Sequence, residues 1–240
     1  MAQLIRKTAR LRFGRLSIPS AHYFVTFCTK DRVRVLTEPR TAGILADVLN
    51  SLDESRAITL IAASIMPDHV HLLFALGSSL RVGQVLGKIK ALSRRKVMAE
   101  WRWQEESFEH QVRPGGSLED YGFYIFMNPY RANLCRLDER WPWWVCPQSA
   151  SLRFLSHLDG GLPVPGEWVG RANEIASRMV VRADKPGPST SGGPTWQKKR
   201  AGWRAWQGPA GGRLNCCAAC SRRCRRRVSS PPAAPPWPLS

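Results

Sequence analysis

Acidic residues are scarce in this chain, with 18 Asp and Glu against 36 Lys and Arg and a net charge of +18 over 240 residues. Such an excess favours a polyanionic partner, nucleic acid first and a membrane surface second. Long apolar runs are also missing. No stretch approaches the ~18 residues needed to span a bilayer, and the N-terminus lacks the apolar core of a signal peptide, so no membrane partner is expected. Met1 to Leu16, with Arg6, Lys7, Arg10, Arg12 and Arg15, reads as a basic arm, with an organelle transit peptide as the second reading. Cysteine is thin where the chain can fold: Cys28, Cys135 and Cys146 stand apart, while Cys216, Cys217, Cys220 and Cys224 crowd into the tail. That is no framework for a secreted mini-domain, and a reducing cytoplasm is the expected compartment. The tail group has the spacing of a partial zinc site, but no histidine or second pair follows it. Incidental cysteines are the simpler reading.

Acid is scarcest at the C-terminal end. From Arg182 onward twelve basic residues face Asp184 alone, so +11 of the +18 lies there, in a context of KPGPSTSGGPTW, GPAGG and SSPPAAPPWPLS. A sequence this rich in proline and glycine cannot bury enough apolar surface to order itself, and a disordered tail over 182–240 is expected. The remaining +7 still leans toward nucleic acid. The hydrophobic content of 43% allows a real core in the rest.

Within that rest, Tyr23 to Thr29 is dense in β-branched and aromatic residues and reads as a strand, with Tyr23, Val25 and Phe27 on one face. Ile44, Leu45, Val48, Leu49 and Leu52 fall at helical spacing from Thr41 to about Ser55. Ile58 to Ile65 and His69 to Leu76 form two strands joined at Pro67-Asp68, a turn pair. A second amphipathic helix runs from Leu80 to about Trp101, and Glu109 to Arg113 offers a short fourth strand. Ser117-Leu118-Glu119-Asp120 then opens a third helix. The order predicts an α+β fold, a ferredoxin-like or RRM-like four-stranded antiparallel sheet with helices on one face. The helix after the fourth strand would close over the other face.

Two candidate centres follow. In the strand His69 to Leu76, side chains alternate, so His69, His71 and Leu73 share one face and Val70, Leu72 and Phe74 the other. Two imidazoles on a rigid strand can grip one ion and leave a position open to polarise a phosphoryl or carbonyl oxygen. On the third helix Tyr124 and Asn128 are four apart and share a face. A tyrosine beside a metal-held phosphodiester is a possible nucleophile, and the Asn amide oxygen suits Mg or Mn. Pro129 is expected to end or kink this helix at Asn128. Lys88, Lys90, Arg94 and Arg95 on the second helix, with Arg113, are candidate DNA contacts.

Four segments in order, YFVTFCTKDR, MPDHVHLLF, FEHQVR and YIFMNPYRANL, together resemble the REP-associated tyrosine transposases, which belong to the single-tyrosine HUH transposases of bacterial insertion sequences. The similarity spans about Ser20 to Leu152, with WPWWVCPQSASL resembling the family's tryptophan-rich stretch. The resemblance implies a bacterial, nucleoid-associated, metal-dependent single-stranded DNA endonuclease and strand transferase. It also implies a catalytic domain over 20–155, behind a basic arm over 1–19 and followed by a C-terminal extension over 156–181. His69 and His71 would hold Mg or Mn, and Tyr124 would form a 5′-phosphotyrosine. Asn128 would complete the metal site. Tyr121, three residues earlier, is the rival nucleophile. His110 and Arg113 match a His-x-x-Arg segment with a structural or DNA-contact role. The implied partner is single-stranded DNA carrying hairpins of palindromic repeats, bound by a monomer or homodimer. The competing reading is a non-catalytic nucleic-acid-binding module, or a decayed enzyme, with Tyr23 and Phe27 as stacking platforms on an open sheet.

Overall fold

A computed structural model of the chain describes residues 17–98, 100–147, 152–158 and 162–183. These belong to a unit that runs from Met1 to Ala183. The expected disordered tail beyond Ala183, its cysteines and most of the basic arm lie outside the described residues, while Arg182 and Ala183, expected to begin that tail, instead end a helix over Glu167–Ala183.

The strands are β1 (His22–Thr29), β2 (Ile58–Ile65), β3 (His69–Leu76), β4 (Trp103–Gln111) and β5 (Trp144–Val145), and the helices α1 (Pro39–Glu54), α2 (Val82–Val97), α3 (Leu118–Arg131) and α4 (Glu167–Ala183). The sheet order is β4-β1-β3-β2-β5, with every neighbouring pair antiparallel. The first four strands and first two helices are the expected ferredoxin-like pattern, and β3 lies at the centre. Two-residue β5 adds a fifth strand beside β2.

Alternation along the strands produces two cores. Val25, Phe27, Val70, Leu72 and Phe74 meet Leu45, Leu49, Val85 and Ile89 of α1 and α2 on one face. Phe24, Ala62 and Leu73 meet Phe123, Tyr124, Phe126 and Met127 of α3 on the other, with Trp168, Ala172 and Ile175 of α4 closing over them. Phe27 and Phe74 are completely buried, each stabilising the fold by about 1.5–3 kcal/mol through removal of apolar surface from water. Tyr23 and Phe27, the stacking platforms of the binding-module reading, are therefore core residues beneath α1 and α2. They face no nucleic acid.

Three boundaries differ from the sequence expectation. The second helix stops at Val97 because Met98 takes a left-handed conformation, φ 56°, and the chain turns Trp101 and Trp103 back into the core. There Trp103 stacks edge-on against Phe27 and donates from Nε1 to Ser93 Oγ at 3.1 Å. This starts the fourth strand at Trp103, well before Glu109, and leaves Arg113 beyond its end. The third helix does not stop at Asn128 but continues through Pro129 to Arg131, with every residue from Tyr121 to Tyr130 buried. The packing of that whole stretch outweighs the one backbone hydrogen bond the proline removes.

Helix α4 was not anticipated. Phe154 and Trp168, on either side of residue 155, share one core with α3. Glu119 at the start of α3 accepts from the backbone amides of Arg153 and Phe154 at 2.9 and 2.7 Å, tying the linking segment down.

Candidate active site

Turn residues Met66 to Asp68 deliver the chain into β3 so that His69 and His71 lie on the α3 face, both buried. Their Nε2 atoms approach to 3.2 Å. The outer nitrogens are held elsewhere. His69 Nδ1 lies 2.6 Å from Asp68 Oδ1, and the other carboxylate oxygen lies 2.8 Å from Arg32 Nε. His71 Nδ1 lies 2.9 Å from the hydroxyl of Thr26, its cross-strand neighbour on β1.

The titration directions are consistent with that arrangement. Burial alone would raise the Asp68 carboxyl, but the hydrogen bond and charge of His69, with Arg32 and Arg34, hold it below its ordinary value. Burial lowers His69 against the opposing pull of Asp68. Burial first, then the charges of His69, Arg131 and Arg32, hold His71 well below its ordinary 6.5. An ionised carboxylate can only accept, so His69 carries its proton on Nδ1 and presents a bare Nε2. Thr26 can accept from His71 in the same way, leaving a second bare Nε2 opposite the first.

Two lone pairs facing at this distance repel unless a cation or proton sits at their meeting point. Nitrogens bound to one ion at about 2.1 Å and 90–109° apart would be separated by about 3.0–3.4 Å, and the observed 3.2 Å falls inside that range. The Asp68 and Thr26 contacts are the kind of outer partners that orient metal-binding imidazoles. The pair fits a divalent ion. Among the described residues no group of three His, Cys, Asp or Glu is placed for a metal, so further ligands would have to be amide, water or substrate oxygens.

Helix α3 lies across this centre. The Tyr124 ring stands edge-on to His71 at a centroid distance of 5.6 Å and edge-on to Phe24 at 6.0 Å. Its hydroxyl has no hydrogen-bond partner among the described residues. Tyr121 packs differently, stacked on His110 at 5.9 Å and tilted against Phe24 at 5.3 Å. Tyr130 donates its hydroxyl to the Glu139 carbonyl at 3.1 Å, and burial raises it to about 12. Asn128 is buried and donates from Nδ2 to the Tyr124 carbonyl at 2.8 Å. Its Oδ1 accepts no hydrogen bond among the described residues.

The expected DNA contacts divide. Lys88, Arg95 and Arg113 are exposed. Lys90 instead donates to the carbonyls of Gln104 and Glu105 at 2.8 and 3.2 Å, and Arg94 to that of Trp101 at 3.1 Å, so both fasten α2 to the start of β4. Helix α2 lies across the sheet from the imidazoles.

Sequence reasoning missed Thr26, Asp68, Arg32 and Arg131. Asp68 was legible beside His69, but the role of Thr26 depends on strand register. Arg131 sits with its guanidinium 5.2 Å from the centroid of the Tyr124 ring.

Because burial holds both imidazoles below their ordinary 6.5 in the fold, the metal-free fold keeps their full contribution above that pH. It loses that contribution as pH falls below 6.5, where the unfolded chain binds protons first. In EDTA the melting temperature should fall steadily from pH 7 toward pH 5, and His71→Asn should flatten that slope.

The fold is a ferredoxin-like sheet with paired imidazoles beneath an aromatic helix on the face that α3 covers. Residues 17–113 match the family model described as "Transposase IS200 like". The match covers the histidines and stops short of α3. None of the curated proteins matches the chain. Among solved structures, a REP-associated tyrosine transposase bound to a REP hairpin is 20% identical over 50% of this chain and 73% of its own, with a TM-score of 0.44. A Deinococcus radiodurans protein described as a candidate transposase is 25% identical over 42% of this chain and 86% of its own, with a TM-score of 0.35. No helix among the described residues is long and apolar enough to cross a membrane.

Proposed function

We propose that this transposase domain is a single-stranded DNA endonuclease and strand transferase in which Tyr124 is the nucleophile. The observation that carries the reading is the Tyr124 ring 5.6 Å from His71, whose Nε2 converges with that of His69. A divalent ion, Mg or Mn, held by His69 and His71 with Asn128 as a candidate third ligand, would supply a positive charge for a phosphate oxygen. The Tyr124 oxygen loses its proton and forms a bond to phosphorus, and the bond from phosphorus to the 3′ oxygen breaks. The products are a 5′-phosphotyrosine and a strand ending in a 3′-hydroxyl. Attack by a second 3′-hydroxyl on the phosphotyrosine returns the tyrosine and joins a new strand, with no outside energy source. The motifs that resemble REP-associated transposases support hairpins of palindromic repeats as the substrate.

Full-length protein is incubated with a 3′-labelled oligonucleotide carrying a palindromic hairpin from the DNA that flanks its gene, in Mn or in EDTA, and resolved on denaturing gels. A labelled protein band in Mn that is absent in EDTA supports the reading. Hairpin binding without any adduct in Mn favours the binding-module or decayed-enzyme alternative.

A further inference from the structure

Arg131 is the last residue of α3. Its Nε donates to Asn173 Oδ1 on α4 at 2.8 Å. Its guanidinium carbon lies 5.2 Å from the centroid of the Tyr124 ring. Among the described residues it has no carboxylate partner, and its two terminal amino groups make no hydrogen bond. It also lines a cleft of about 560 Å³ with Tyr130, Leu134, Leu137, Pro163 and Val169.

Arg131 is held by a neutral group and an aromatic ring. An arginine serving stability would spend its fork on a carboxylate, as Arg136 does on Asp138 through two bonds of 2.9 Å. Arg131 is fixed at one nitrogen by a neutral amide and keeps four N–H donors for something else. Guanidinium forks match the paired oxygens of a phosphate, and a fixed donor aimed at developing charge requires no reorganisation when the reaction occurs.

We infer that Arg131 binds a non-bridging oxygen of the phosphodiester attacked by Tyr124, and that Asn173, through its bond to Nε, is the residue that positions it. The inference rests on the proposed function and adds to it a second, non-metal anchor for the reacting phosphate. It also gives α4 a part in the site. Asn173 acts only through Arg131, so loss of Asn173 should matter only while Arg131 is present.

The test measures adduct formation in Mn, with the hairpin oligonucleotide varied in concentration, for the full-length protein and the variants Arg131→Ala, Arg131→Lys, Asn173→Ala and the Arg131→Ala/Asn173→Ala pair. Arg131→Ala should lower kcat by ~100-fold with KM and melting temperature little changed, and Arg131→Lys should recover part of that loss. Asn173→Ala should lower kcat about tenfold, and the double variant should be no slower than Arg131→Ala alone. Wild-type kcat in Arg131→Ala overturns the inference and leaves the nuclease reading standing, as does a fully additive double variant. Absence of adduct from the wild-type protein overturns both.

Discussion

Replacing Tyr124 with Phe is expected to abolish the covalent adduct, with cleavage falling by at least ~10⁴-fold, because no other hydroxyl can take over a nucleophile's role at that position. The fold should be almost untouched. Phe preserves the edge-on contacts with His71 and Phe24 and the ring beneath Arg131. The hydroxyl that is lost has no hydrogen-bond partner among the described residues, so nothing buried is left unsatisfied. Tyr121→Phe is the matched control. Its ring stacks on His110, and the adduct should persist at near wild-type yield. An adduct that survives Tyr124→Phe and disappears in Tyr121→Phe would keep the enzyme class and move the nucleophile three residues along α3.

His71→Ala is the second large effect. His71 faces both His69 and Tyr124, so its loss should remove Mn affinity and reduce cleavage by on the order of 10³-fold or more. Calorimetric titration with Mn reads the first and the adduct gel the second. Hairpin binding without metal should be retained, since the exposed basic residues Lys88, Arg95 and Arg113 are untouched. Unchanged Mn affinity in His71→Ala would rule out the imidazole pair as the ion's seat. The truncation also leaves the Thr26 hydroxyl without its partner and opens a gap beneath α3, so a loss of about 2–4 kcal/mol of stability is expected as well. Comparison with His71→Gln, which fills more of the gap, separates the two losses.

What the sequence revealed and what it hid divide along physical lines. Strands β2 and β3 fall at their expected residues because apolar runs bounded by Pro67-Asp68 and Gly77 leave little freedom of register or length. The same alternation placed the two histidines on the face that α3 covers. Helix α4 went unread although Trp168, Ala172, Ile175 and Ala176 lie at helical spacing, within a stretch expected only as a C-terminal extension over 156–181. The contacts of Thr26 with His71 and of Asn173 with Arg131 join residues 45 and 42 positions apart. Spacing carries no signal for such contacts, which depend on sheet register and on how α4 docks.

The two cores give the domain a seam. Strands β1 to β4 with α1 and α2 make one layer within residues 17–113, and that layer holds the imidazole pair, while Tyr124 and Arg131 arrive with α3, which α4 covers. A chain ending after β4 would keep both histidines but would turn Phe24, Ala62 and Leu73 toward water, and such a fragment should aggregate rather than persist as a soluble ion binder. A gene truncated there would lose its product, so the layer that carries the two histidines depends on the helices that follow it.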